Sequence, residues 1–200
     1  KDIKVVAFDR DLDLVWTNTY SWDGGFNPLW QGDDVPVAMD IGLNVVAVVG
    51  TSQSNPGTGM GTDMVTLCYS HLDGMGAMPA QRFATVNNDA AIDVEVTSFD
   101  TPTPTFPDLV FALGQVTDSA TGLRTFATTV YPAVEFPATP VTYSSGIAGR
   151  DNVPVGIAFN GDKGSYLKIA IGGTTYPAPS LLGDAEYYTL SFDVVFPPFP

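Results

Sequence analysis

The chain has one cysteine, one histidine and eight basic residues among its 200. A single Cys68 excludes an intrachain disulfide, and its neighbours Leu67 and Tyr69 place it in a buried strand as an inert thiol. A single His71 excludes a histidine cage for zinc or copper; with no Ser or Cys motif around it, it reads as a solvated turn residue. Against eight basic residues stand 22 acidic ones, a formal net charge of -14 and a pI near 4.1. Such a surface repels phosphate backbones and anionic bilayers, which excludes nucleic-acid binding and disfavours membrane surfaces. No apolar run exceeds strand length and no lipidation signal is present, so membrane insertion is not expected. Nowhere does an apolar period of 3.6 residues persist for three turns without Gly, Pro or β-branched clusters, which argues against long helices.

What is present is turn-forming and strand-forming. Twenty glycines, 16 prolines, 44% apolar and 12% aromatic residues, with only 15% charged, describe an all-β protein. Nineteen of the acids are Asp and three are Glu, a bias that suits loops and oxygen-ligand sites. Few lysines, strong acidity and abundant Thr, Gly and Pro point to a secreted or cell-surface setting. An exported protein of this kind has Lys1 downstream of a removed leader or within a longer chain.

The chain repeats itself. "DDVPVAMDIGLNVVAVVG" (33–50), "NDAAIDVEV" followed by "PDLVFALG" ending at Gly114, and "DNVPVGIAFNGDKGSYLKIAIGG" (151–173) align with one another. Each is followed by a polar loop and a β run closing on an aromatic: Gly50 to Tyr69, Gly114 to Tyr131, and Gly172 to Phe192. "DIKVVAF" at the amino terminus matches "DMVTLCY", so the chain opens on the third strand of a unit. "LVWTNTY", with Trp16, then supplies the fourth, with "AQRFATV" and "PVTYSSG" as counterparts. The expected architecture is a single all-β repeat domain, 1–200, of about three four-stranded antiparallel units. Their boundaries are 1–32 (partial), 33–88, 89–150 and 151–200. The arrangement is β-propeller-like, with a β-sandwich as the alternative. The second strand of each unit is apolar on both faces, as a strand between two sheets must be. "DTPTPTFPD" (100–108) reads as an extended loop insertion.

The succession "F-D-R-D-L-D-L-V-W-T-N-T-Y … D-D-V-P-V-A-M-D … N-V-V-A-V-V-G-T-S … T-D-M-V-T-L-C-Y" resembles the bacterial secreted β-propeller (SBBP-type) repeats. The resemblance is strongest over 1–73, extends to 150–193 and is weak over 74–149. It implies radially arranged four-stranded blades on extracellular bacterial proteins, and it transfers no catalytic residues. About three blades is fewer than the roughly four to eight that close a ring. A longer chain, completion by another subunit, or sandwich packing would each resolve this. Strand edges at "IKVVAFD" and "YYTLSFDVVF" then invite pairing with a second copy, as a homo-oligomer or filament.

Two sets of residues are candidates for binding. Aspartate turns at Asp33, Asp34, Asp63 and Asp151 offer carboxylates and carbonyls of the kind calcium takes, although Asp is equally a plain turn former. Trp22, Phe26 and Trp30 in "SWDGGFNPLW" offer flat apolar faces beside Asp and Asn, suited to a glycan, or else cap a seam of the core. No catalytic residue is expected. The functional expectation is an extracellular or cell-surface, non-catalytic β-repeat protein with a binding or structural role. The alternatives are a self-assembling surface-layer or filament subunit and, after that, a glycan-active enzyme.

Overall fold

The computed structural model describes residues 1–21, 32–53, 61–85, 87–98, 108–118, 120–132, 141–145, 147, 149–160, 166–177 and 185–195. These contain no helix and form four antiparallel sheets of two, four, four and three strands. The first sheet pairs β1 (Ile3–Phe8) with β2 (Leu14–Tyr20). The second is a meander of β3 (Asp34–Ile41), β4 (Val45–Gln53), β5 (Thr62–Ser70) and β6 (Gly76–Phe83). The third follows the same order with β7 (Ala90–Thr97), β8 (Leu109–Thr117), β9 (Arg124–Pro132) and β10 (Val141–Ser145). The fourth holds β11 (Arg150–Asn160), β12 (Tyr166–Pro177) and β13 (Glu186–Val195).

Side-chain alternation sorts the apolar residues into three layers between successive sheets. Ile3, Val5 and Trp16 of the first sheet meet Val46, Val48, Val65 and Leu67 of the second. The opposite face of the second sheet, with Val45, Ala47, Val49 and Met64, meets Val94, Val96, Val110 and Ala112 of the third. Phe111, Leu113 and Phe126 of the third meet Ile157, Ile169 and Ile171 of the fourth. The central strands β4 and β8 are therefore buried on both faces, which is why they read as unbroken apolar runs. Face-to-face packing of antiparallel sheets is what a β-sandwich shares with a stack of blades, and no sheet closes on itself among the described residues.

The repeat holds at the level of single residues, with one correction. In the first strand of each full sheet a bulge follows a fixed position: after Pro36 in β3, Ala91 in β7 and Pro154 in β11. Those residues stand opposite Gly50, Gly114 and Gly173. The equivalent glycine of the last unit is thus Gly173, not Gly172, whose added Cβ would meet nothing within 4 Å. The interval from Gly173 to Phe192 then equals that from Gly50 to Tyr69. The closing aromatics fall opposite equivalent residues too: Tyr69 faces Val46, Tyr131 faces Val110 and Phe192 faces Ile169. Prolines 36 and 154 lie on edge strands, where a missing N–H breaks no ladder.

Candidate functional site

Polar chemistry in this protein is concentrated at the junctions between sheets. One arrangement recurs three times. The amino-terminal group of Lys1 donates to Asp33 Oδ1 at 2.9 Å, Thr62 N–H to Asn88 Oδ1 at 3.1 Å, and Arg124 N–H to Asp151 Oδ1 at 2.8 Å. In the first two cases the carbonyl of the same residue accepts the next amide of the following sheet, Asp34 N–H to Lys1 O and Asp89 N–H to Thr62 O, each at 2.7 Å. An Asx side chain at the start of each first strand thus clips it to the third strand of the preceding sheet. Two residues along, Ile3, Met64 and Phe126 lie over Gly50, Gly114 and Gly173, where a Cβ would meet them at 2.6 to 2.8 Å.

The four aspartates expected as cation ligands divide between two junctions. Asp33 belongs to the first clip, and its partner ammonium holds its carboxyl below the usual carboxylate range. Asp34, Ser52 and Asp63 form a row across β3, β4 and β5. The Arg82 guanidinium bonds Ser52 Oγ at 3.1 Å and pairs with Asp63 in the same row. Asp151 lies at the other end of the molecule, between the third and fourth sheets, where Arg124 bonds both of its carboxylate oxygens. That contact, ahead of two lesser ones, lowers its pKa. Among the described residues, no three His, Cys, Asp or Glu side chains form a group able to hold a metal ion. Trp22, Phe26, Trp30 and, of the expected insertion at 100–108, all residues but Asp108 lie outside the described residues.

Other junction residues carry no signal in the sequence. Asp108, almost fully buried, accepts Asn44 N–H at 2.7 Å, Val45 N–H at 3.2 Å and Asn44 Nδ2 at 3.3 Å, closing the second sheet onto the third. Along the edge formed by first strands, Asp40 Oδ2 accepts Val96 N–H at 2.6 Å and Asp93 Oδ2 accepts Ile157 N–H at 3.1 Å. Each carboxylate takes an edge amide of the next sheet that would otherwise stay open to another chain. Glu95 stands beside them, its pKa raised by burial first and then by Asp40 and Asp93. Trp16 Nε1 donates to His71 O at 3.0 Å, fastening the first sheet to the exposed turn at 71–73. Burial lifts the Cys68 thiol to about 12, which keeps it protonated and unreactive at neutral pH.

The chain matches no family model, no curated protein and no solved structure.

Proposed function

We propose that this is a non-catalytic β-repeat protein of the extracellular space or cell surface, with blade-like sheets in a propeller-like succession and a binding or structural role. The observation that carries it is the use made of the polar groups. The recurring Asx clip, Arg124 with Asp151, and the carboxylates of Asp40, Asp93 and Asp108 all fasten one sheet to the next, while Arg82 with Asp63 joins neighbouring strands within the second sheet. Carboxylate and amide side chains committed to partners of fixed geometry hold an architecture together and are not held ready for a substrate. The succession of four-stranded meanders supports the likeness to secreted propeller repeats. Trp22, Phe26 and Trp30 remain the proposed glycan contacts. A glycan array with Trp22→Ala and Trp30→Ala tests them, and a panel of glycoside, ester and peptide substrates tests the main reading. Turnover abolished by replacing one carboxylate would overturn that reading.

A second reading, self-assembly, rests on Tyr187. It precedes the residue opposite Gly173, as Met64 and Phe126 precede those opposite Gly50 and Gly114. Met64 and Phe126 are 1% and 0% exposed, whereas Tyr187 is 91% exposed on the outer face of the fourth sheet. Size-exclusion chromatography with light scattering should show concentration-dependent association that Tyr187→Asp abolishes. A monomer at every concentration would end the self-assembly reading.

A further inference from the structure

The first strands of the three larger sheets are neighbours, with β7 in contact with both β3 and β11. Asp40 pairs with Ala47, Glu95 with Phe111 and Ala158 with Ala170, and these partners precede Gly50, Gly114 and Gly173 by the same interval. Two neighbouring strands therefore carry a carboxyl at the same place, and the third carries a methyl group. Asp40 Oδ2 accepts the N–H of Val96 at 2.6 Å, which holds its carboxyl beside Glu95. Asp93 accepts Val94 N–H on Oδ1 at 2.9 Å and Ile157 N–H on Oδ2 at 3.1 Å, so both of its oxygens are occupied. Asp40 accepts through one oxygen. The partly buried Glu95 carboxyl has no hydrogen bond or ion pair with any described residue. The charged groups acting on it are Asp40 from β3 and Asp93 from its own strand. β4 and β8 bring no titratable side chain. On β3 and β5, Asp34 and Asp63 belong to the row beside Arg82, Tyr69 faces the first sheet and Cys68 stays a thiol. Arg150 and Asp151 of β11 are paired with Glu186 and Arg124.

We infer that in mild acid Glu95 and Asp40 share one proton, and that this proton latches the third sheet to the second. Glu95 takes the proton from solvent. Its O–H then donates to Asp40 Oδ1, while Asp40 Oδ2 keeps the Val96 amide. Two carboxyls at close quarters resist joint ionisation, and a hydrogen bond from an acid to a carboxylate is among the stronger ones. Asp93 is the poorer acceptor, because each of its oxygens already holds an amide. At neutral pH the proton leaves, and repulsion between like charges replaces the bond between the sheets. Burial first, then Asp40 and Asp93, raise the Glu95 pKa, so the folded protein takes up the proton before the unfolded chain does. The latch therefore strengthens as pH falls from neutrality through the raised value, and its gain is complete at the ordinary glutamate value. The hold of the second sheet on the β7 edge thus responds to the acidity of the surroundings.

Amide exchange of the full chain reads the latch, as the protection factor of Val96 relative to that of Val110, fully buried on β8. From about pH 8 to about pH 5 this ratio should rise about tenfold, the strength of one hydrogen bond to a charged group. Glu95→Gln carries a permanent donor, so its ratio should be high at both ends of the range. Glu95→Ala removes charge and donor together, and its ratio should be low at both. A Val96 ratio that does not move with pH overturns the inference. So does a Glu95→Ala chain as well protected as Glu95→Gln, because relief of repulsion alone would then account for the effect. A rise at Ile157 with none at Val96 assigns the proton to Asp93 and overturns the pair. Calcium at neutral pH that gives the unaltered chain its acid-state ratio also overturns it, because the seam would then be a cation site.

Discussion

A methyl group added at Gly50 would lie 2.6 Å from Ile3 Cδ1 and 2.7 Å from the Val35 carbonyl oxygen. At Gly173 it would meet the Val153 carbonyl at 2.7 Å and Phe126 Cζ at 2.8 Å. Backbone carbonyls and a buried ring cannot retreat, so Gly50→Ala and Gly173→Ala should each cost about 1–3 kcal/mol of strain. Gly114→Ala should cost less than either, since its nearest neighbour is the sulfur of Met64, the far end of a flexible side chain, at 2.8 Å. Gly172→Ala meets no atom within 4 Å, and by removing backbone freedom from the unfolded chain it should be neutral or stabilising by up to about 1 kcal/mol. Urea unfolding midpoints of the four variants check this order, and a Gly172→Ala variant as damaged as Gly173→Ala would refute the register argument. The tandem glycines at 172 and 173 hide their phase in the sequence, because the bulge after Pro154 shifts the pairing by a residue and only the paired strands reveal it.

Between elements, the critical contacts join residues far apart in the chain. Asp108, just before β8, holds the amides that open β4. Asp108→Ala strips two backbone N–H groups of their acceptor, one of them buried, at a cost of about 1–3 kcal/mol. Exchange at Asn44 and Val45 should accelerate while that at Val65 in the middle of β5 stays slow; equal acceleration at all three would mean global loosening and not a local clamp. The strand order was legible because each unit repeats a proline or alanine, a glycine and a closing aromatic at near-constant spacing. The roles of the aspartates were not. Asp33 and Asp151 look like loop ligands when only their neighbours in sequence are considered, and their partners, Lys1 and Arg124, lie 32 and 27 residues away. Arg82 sits in "AQRFATV", the weakest strand pattern of its unit, so nothing in that stretch foretells an ion pair with Asp63.

At the scale of the whole molecule, a net charge of -14 and buried carboxyls at the junctions set how stability depends on pH. The carboxyls of Asp89 and Glu95 are raised above their ordinary values, burial being the first cause in both, followed for Glu95 by repulsion from Asp40 and Asp93. A raised acid takes up its proton in the folded state before it does so in the unfolded chain, so the folded state gains as pH falls from neutrality toward those values. Reduced self-repulsion of the acidic surface acts in the same direction. Asp151 has the opposite sign: the hydrogen bond from Arg124 lowers its pKa. Its contribution is complete above the unfolded carboxylate value and is lost as pH falls through the folded one. Partial exposure of the pair, 37% for Arg124 and 16% for Asp151, limits its size. The melting temperature should therefore rise from pH 8 to about 5 and fall below about 3.5. Glu95→Gln, which removes the raised group, should increase stability at pH 8 and flatten the rise. Calorimetry at constant ionic strength decides the matter, and a melting temperature that falls steadily from pH 8 to 5 would show that the carboxyls facing one another along the first strands carry no strain.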